Sequence, residues 1–222
     1  MDREALRSAI ESTLLSPVAS AAQVEALCRE AAEHGWLGVC VSPCRVAEAA
    51  GHLRGTGVRV VTVVGFPLGT SSTRAKAGEV EQALRDGAEE VDAVWNVGWF
   101  LEGRYRAVAE ELRTLRTAAG DRVLKVILET AYLDPPRLKE AGALALGCGA
   151  DFLKTSTGFG PRGASLDDVR VLRQVARGRC GVKASGGIRT LEQAVALLDA
   201  GADRIGTSSA GAIWAEAGAR QG

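Results

Sequence analysis

Short apolar runs alternate along the chain with longer segments whose apolar residues recur at helical spacing. Glycine, proline and small polar residues bound the short runs, which indicates buried strands, whereas the longer segments are typical of helices that bury one face. The predicted strands comprise residues 10–13, 36–41, 58–64, 89–95, 123–129, 151–154, 180–184 and 204–206. The predicted helices comprise residues 21–34, 43–53, 73–86, 105–119, 135–146, 166–176, 191–200 and 210–217.

A short repeat supports the division into eight strand–helix units. Gly-Ala followed by Glu or Asp occurs at 87–89, 149–151 and 201–203, where it ends a helix and begins a strand. Glycine is the expected residue just past a helix C-terminus. Strict alternation predicts a parallel sheet, and eight units in 222 residues predict a single-domain (β/α)8 TIM barrel over residues 1–222. An open, doubly wound sheet is the alternative.

Composition excludes several classes of protein. The chain is 46% hydrophobic and 24% charged with a formal net charge of zero, so nothing favours binding to nucleic acid or to a membrane surface. The longest apolar run, residues 58–68, is too short to span a bilayer. Residues 1–4 have no basic region followed by an apolar run, so we expect no signal peptide. Five cysteines without a CxxC pair argue against a disulfide framework or a zinc site. We therefore expect a cytoplasmic protein with no metal.

Two lysines at the ends of successive strands are the strongest chemical signal. Lys154 and Lys183 each follow apolar residues and precede a loop of small residues. Only five of the 27 basic residues are lysines, and lysine, unlike arginine, can lose its proton and attack a carbonyl. A neighbouring ammonium and partial burial both favour the neutral amine, so we expect Lys154 to form a Schiff base. The alternative is that each lysine neutralises a bound phosphate, and this is a serious competitor for Lys183.

The loops after the seventh and eighth strands are predicted to bind phosphate. Residues 185–189 and 206–209 are turns of small residues that expose backbone N–H groups, at the place where TIM barrels often bind phosphate. The alternative is that they are only tight turns. Residues 158–163 match GxGxxG, but no acidic residue follows about 20 residues later, so a dinucleotide site is not favoured.

Inward carboxylates are expected to accompany the lysines. Asp92 lies inside the fourth strand, and Lys183 across the barrel would pair with it. Lys125 and Glu129 are predicted to share one face of the fifth strand and to join the same polar layer as structural charge balance. Cys40, inside the second strand, is interpreted as a small core residue.

Several motifs together resemble 2-deoxyribose-5-phosphate aldolases of the bacterial class I family. They are found at residues 40–43, 63–69, 90–92, 125–130, 150–158, 182–189 and 206–209. The resemblance implies a (β/α)8 barrel without metal or organic cofactor. It also implies reversible cleavage of 2-deoxy-D-ribose 5-phosphate to D-glyceraldehyde 3-phosphate and acetaldehyde, in nucleoside salvage. A homodimer is implied too.

The resemblance also assigns roles to individual residues. Lys154 would carry the Schiff base, Lys183 would lower its pKa, and Asp92 with Lys183 would relay a proton. Substrate or phosphate contacts are assigned to the small residues Gly158, Gly186, Gly187, Gly206, Ser208 and Ser209. Possible accessory residues are Glu11, Cys40 and Lys125.

The chain departs from the family pattern at three places. Glu11, Ser12 and Ser16 stand where the family usually has Asp, His and Lys. Larger aromatic residues replace the expected aliphatics at Trp95, Trp99 and Phe100, which bears on the range of acceptors. The tail, 213–222, lacks the tyrosine that some members use. Two other functions stay open: a phosphosugar isomerase or synthase that uses carboxylates alone, and a non-catalytic protein that binds phosphate esters.

Overall fold

Eight parallel strands close into a barrel in the computed structural model, which describes residues 2–219. In chain order the strands are β1 (Ile10–Leu14), β2 (Gly38–Val41), β3 (Arg59–Val64), β4 (Glu90–Val94), β5 (Val123–Ile127), β6 (Phe152–Lys154), β7 (Gly181–Ser185) and β8 (Arg204–Thr207). Each strand pairs with the next, and β1 also pairs with β8. The barrel prediction is therefore confirmed and the open sheet is excluded. Met1 and residues 220–222, the end of the tail without tyrosine, lie outside the described residues.

Ten α-helices surround the barrel within residues 2–219. They are α1 (Arg3–Arg7), α2 (Ala21–His34), α3 (Val46–His52), α4 (Thr73–Arg85), α5 (Val97–Leu101), α6 (Tyr105–Ala119), α7 (Pro135–Gly147), α8 (Leu166–Ala176), α9 (Leu191–Asp199) and α10 (Ala210–Ala219). The short helices α1 and α5 were not predicted, because five residues are too few to establish a helical period. The predicted helix at 43–53 begins instead with a 3-10 turn, Pro43–Arg45. In the described part of the chain, no helix has the length and apolarity that a membrane crossing requires.

Side-chain caps fix where the crossover helices begin. Ser20, Ser72, Asp134, Ser165 and Thr190 each accept a hydrogen bond from a backbone N–H in the first turn of the following helix. Such a cap contributes about 1 kcal/mol and prevents the helix from extending into the loop before it. The loops at the carboxyl ends of the strands therefore keep defined lengths, and these loops surround the mouth of the barrel.

The two faces of the strands bury different kinds of residue. Outward side chains pack against the helices and form the main apolar core. Inward side chains form a charged layer, together with a separate small apolar cluster made by Cys40, Val61 and Val63. The charged layer consists of Glu11, Glu90, Asp92, Lys125, Lys154, Lys183 and Arg204. Charged groups are almost never fully buried unless they are paired, so this buried layer indicates a candidate functional site inside the barrel.

Candidate active site

Lys154 is the last residue of β6 and points into the barrel. Its side chain is 4% exposed, and its Nζ donates a hydrogen bond to Asp92 Oδ2 at 2.7 Å. Lys183 is the register partner of Lys154 on β7, and its Nζ donates to the same oxygen at 2.6 Å. The two amines are therefore immediate neighbours, held by one carboxylate oxygen.

Asp92 lies at the centre of three lysine amines. Its second oxygen, Oδ1, accepts a hydrogen bond from Lys125 at 2.8 Å. Burial by itself would raise the pKa of Asp92, but the charges of Lys125, Lys154 and Lys183 hold it well below the ordinary value. The carboxylate consequently stays ionised and keeps the amines in place.

The two neighbouring lysines differ in how readily they lose a proton. Burial lowers the pKa of Lys154, and the charge of Lys183 lowers it further, against the opposing effect of Asp92. Burial also opposes the charge on Lys183, but Asp92 and Glu11 outweigh it, so the pKa of Lys183 is raised. Lys183 therefore holds its proton more tightly, and Lys154 is the lysine of this pair that loses its proton more readily.

The other members of the charged layer surround Lys183 and Asp92. Glu11 of β1 accepts a hydrogen bond from Lys183 and another from Arg204 at 2.9 Å, and its carboxylate lies 3.6 Å from Lys125. Glu90 contacts Lys125 at 2.6 Å and Arg204 at 2.5 Å. Every charge in this layer thus has an opposite neighbour, as buried charges require.

The prediction that Glu129 joins Lys125 in this layer is wrong. β5 ends at Ile127, and Glu129 adopts a left-handed backbone conformation with φ 49°. Its carboxylate turns to the loop after β6, where it accepts the backbone N–H of Thr157 at 3.2 Å. Strand alternation would place Glu129 beside Lys125 only if β5 continued to residue 129, but β5 ends two residues earlier.

The pH dependence of stability tests Glu11. Burial would raise its pKa, but Lys125 and Lys183 lower it to about 2 from an ordinary 4.5. The stability that this carboxylate contributes is therefore complete above about pH 4.5 and is lost as the pH falls towards 2. We expect Glu11→Gln to lower the unfolding free energy by on the order of 3 kcal/mol at neutral pH and to flatten its decline in acid. Urea unfolding at several pH values measures this, and an unchanged acid slope would contradict it.

A cavity of about 360 Å³ opens at the carboxyl ends of the strands. Lys154 lines it together with the predicted phosphate residues Gly158, Gly186, Gly187 and Ser208. Gly206 also lines it, but a Cβ there would lie 3.0 Å from Lys183 Cε, so this glycine makes room for the lysine side chain. Ser209 is not on the cavity wall, and its N–H donates to Thr207 Oγ1 at 2.9 Å.

Backbone N–H groups make one part of the cavity suitable for an anion. Within residues 2–219, the N–H groups of Gly158, Gly186, Gly187 and Ser208 have no hydrogen-bond partner. Gly158 and Gly186 have φ 87° and 89°, and a Cβ on Gly186 would lie 3.2 Å from Gly158 Cα. Positive φ and close packing both require glycine here. Clustered free donors of this kind bind anions such as phosphate.

Arg189 is a residue that the sequence analysis did not single out. It is exposed, and besides Lys154 it is the only charged side chain among the described residues that line the cavity. Its position directly after Gly187 and Ile188 in the predicted phosphate loop is the sequence feature that could have indicated a role in anion binding. A guanidinium at this place adds positive charge to the anion end of the cavity.

The unexpected aromatic residues pack away from the cavity. Trp95 is buried, its indole N–H donates to the Leu128 carbonyl at 2.9 Å, and its ring centroid lies 4.8 Å from that of Phe100. Trp99 packs under the guanidinium of Arg104, 4.7 Å from the ring centroid. None of the three aromatics is among the described residues that line the cavity. They therefore do not shape the cavity directly.

Cys40 is buried inside the barrel within the small apolar cluster. Burial raises the pKa of its thiol to about 11, so it stays protonated at neutral pH. This agrees with its interpretation as a small core residue beside the charged layer.

The chain is similar in sequence to several aldolases. Residues 2–216 match the profile described as DeoC/LacD family aldolase. A deoxyribose-phosphate aldolase from Coprothermobacter proteolyticus is 47% identical over 207 residues, which cover 93% of this chain and 94% of that protein. The deoxyribose-phosphate aldolase of Thermotoga maritima is 48% identical over 206 residues, covering 93% and 83% of the two chains.

The fold is also similar to solved structures. An aldolase called QR15 superposes with a TM-score of 0.92 at 44% identity, covering 97% of this chain and 96% of that chain. The deoxyribose phosphate aldolase of Aeropyrum pernix, described as a tetramer, superposes with a TM-score of 0.88 at 36% identity and covers 97% and 92%. On the profile match and these identities, the chain belongs to the DeoC/LacD family of aldolases.

Proposed function

We propose that this chain is a class I aldolase that reversibly cleaves 2-deoxy-D-ribose 5-phosphate to D-glyceraldehyde 3-phosphate and acetaldehyde. The observation that carries the proposal is one cavity that combines the Lys154 amine with four unpaired backbone N–H groups. An amine that can become neutral binds the aldehyde carbon, and free N–H donors bind a phosphate ester. Relatives over most of the chain are named deoxyribose-phosphate aldolase, which supports this choice of substrate.

The chemistry follows from a neutral Lys154. Its amine attacks C1 of the open-chain sugar, and loss of water gives an iminium. The C2–C3 bond then breaks while the C3 hydroxyl loses its proton, so the bonding electrons move into the iminium and form an enamine. Protonation of the enamine at C2 and hydrolysis release acetaldehyde and restore the amine.

Lys183 and Asp92 supply the proton handling in this proposal. Lys183 keeps its proton because its pKa is raised. This proton lies beside the reacting nitrogen, because the Nζ atoms of Lys183 and Lys154 share one Asp92 oxygen. Asp92 holds both nitrogens and links them by hydrogen bonds, which allows a proton to pass between them. The lowered pKa of Asp92 makes this carboxylate a weak base by itself, so Asp92 and Lys183 together transfer the proton.

Reductive trapping tests the Schiff base. Treatment with acetaldehyde and borohydride should add a two-carbon increment to the peptide that contains Lys154. Lys139, the one exposed lysine in residues 2–219, reports unspecific alkylation, and Lys139→Arg is the matched control. A label found only on other residues, or no label, would contradict the proposal.

No observation favours the other two functions. A carboxylate-only isomerase or synthase needs a base of suitable pKa, but Asp92 and Glu11 are buried among cations that lower their pKa values. A non-catalytic binding protein was suggested by the altered first strand. Glu11, however, keeps a carboxylate on Lys183. The homodimer stays a prediction from the resemblance.

Arg189 gives a prediction about the phosphate end. Arg189→Ala should raise KM for 2-deoxyribose 5-phosphate about tenfold, because one charge-assisted contact to the phosphate is lost. KM for unphosphorylated 2-deoxyribose and kcat for both substrates should change little. Arg189→Lys, which keeps the charge, is the control. An equal effect on both sugars would show that Arg189 does not act through the phosphate.

A further inference from the structure

Glu129 combines two unfavourable features next to the proposed phosphate site. Of the residues between 2 and 219, only Glu129 and Arg177 have positive φ without being glycine. Arg177 ends helix α8, where this conformation is common, but Glu129 ends no helix. The Glu129 carboxylate is also buried, and its Oε1 has no partner among the described residues. Both features cost free energy, so stability does not explain this residue.

The other oxygen of Glu129 organises the loop that follows Lys154. Oε2 accepts both the backbone N–H and the hydroxyl of Thr157. A hydroxyl can donate only one hydrogen bond, and the Thr157 hydroxyl donates it to the Glu129 carboxylate. The lone pairs of Thr157 Oγ1 are therefore left to accept the N–H of Phe159 at 3.1 Å.

These hydrogen bonds leave Gly158 as the residue whose N–H is free. The N–H groups on either side of it, those of Thr157 and Phe159, are both occupied, while Gly158 lines the cavity. The loop lies directly on the carboxylate, since a Cβ at Gly160 would be 2.8 Å from Glu129 Cδ. The contacts of Glu129 and Thr157 thus leave Gly158 with the unoccupied N–H among these three residues.

The backbone beside Glu129 holds the same loop at its start. The N–H of Leu128 donates to the Lys154 carbonyl at 2.9 Å, and the N–H of Thr130 donates to the Thr155 carbonyl at 3.0 Å. The two backbone bonds fix residues 154–155, and the Glu129 side chain extends this support to residue 157. These hydrogen bonds connect the loop at the proposed phosphate site to the residues that directly follow β5.

We infer that Glu129 is a positioning residue, which holds Thr157 so that the Gly158 N–H is presented to the phosphate group of the substrate. The inference rests on the proposed function for the identity of that substrate. The role requires an acceptor oxygen and not a negative charge, because a carboxylate behind a phosphate site would repel the ligand. Glutamine at position 129 should therefore preserve the role, whereas a side chain of similar length without an acceptor should abolish it.

The test compares Glu129→Gln with Glu129→Met in the full-length enzyme. In Glu129→Met, KM for 2-deoxyribose 5-phosphate should rise about tenfold, the effect of one lost hydrogen bond, with kcat within about threefold of wild type. The same variant should leave kcat/KM for unphosphorylated 2-deoxyribose nearly unchanged. Glu129→Gln should stay close to wild type on both substrates. Equal losses on both sugars, or no loss in Glu129→Met, would overturn the inference.

Two further measurements do not depend on turnover. Glu129→Met should weaken the binding of inorganic phosphate in calorimetry and speed amide deuterium exchange in residues 155–163 without lowering the unfolding free energy. Thr157→Val, which removes the hydroxyl but leaves Glu129, should have the same two effects. If the wild type bound phosphate but cleaved no deoxyribose phosphate, the proposed function would fail while this inference survived. Unchanged phosphate affinity in both variants would overturn the inference even in an active aldolase.

Discussion

Replacement of Lys154 by methionine is expected to lower kcat by about 10⁴-fold or more, as loss of a covalent nucleophile does in other enzymes. In the proposed mechanism no iminium can form without this amine, so the electrons of the C2–C3 bond would have no acceptor. Lys183 cannot substitute, because its raised pKa keeps it protonated between Asp92 and Glu11. Steady-state assay of sugar-phosphate cleavage measures the effect.

The proper control for this loss is another buried lysine. Lys76 is fully buried and donates to Glu111 at 2.8 Å, outside the residues that line the cavity. Lys76→Met should lower stability, because it leaves Glu111 buried with its ion pair broken, but should leave kcat of the folded protein nearly unchanged. Activity within tenfold of wild type in Lys154→Met would refute the Schiff-base role.

Replacement of Lys183 by leucine should have the second largest effect, a loss in kcat of about 10²- to 10⁴-fold, typical of a lost acid–base group. It should also destabilise the fold by about 3–5 kcal/mol, because Glu11 and Asp92 lose a buried counter-charge. Activity is therefore measured at a temperature where the variant is folded by circular dichroism. Near-normal kcat under those conditions would refute the assigned role.

The pH profile separates the electrostatic role of Lys183 from its structural role. In the proposed mechanism activity should rise with pH as Lys154 loses its proton, and in wild type this limb is expected below the ordinary lysine pKa of 10.5. The charge of Lys183 lowers the pKa of Lys154, so Lys183→Leu should move the limb of the residual activity to higher pH. A limb that did not move would show that Lys183 acts only through packing.

Lysine scarcity was an informative but imperfect signal in the sequence. Four of the five lysines are buried, and only Lys139 is exposed. Rarity directed attention to Lys154 and Lys183, which the structure places side by side on Asp92. It did not distinguish them from Lys76, which lies between helices and pairs with Glu111. Burial and rarity therefore do not identify the lysines of the site, which are distinguished by lining the cavity, as Lys154 does, or by sharing Asp92 with it, as Lys183 does.

Strand alternation predicted the inward face well and the strand ends poorly. Asp92, Lys125, Lys154 and Lys183 share the barrel interior as their parity within each strand requires. Glu129 has the same parity as Lys125 but lies beyond the end of β5, where a left-handed residue turns the chain. Periodicity holds only while the backbone stays extended, and the sequence contains no clear marker of where that ends.

The amino-acid sequence by itself determined the eight strand–helix units, the inward lysines and carboxylate, and the small-residue loops, because each depends on local spacing and residue type. Only the tertiary structure decided which of these groups meet. Glu11 contacts Lys183 across 172 residues because closure of the barrel brings β1 against β8, beside β7. The different proton affinities of Lys154 and Lys183 follow from that closure, since the second carboxylate on Lys183 comes from the opposite end of the chain.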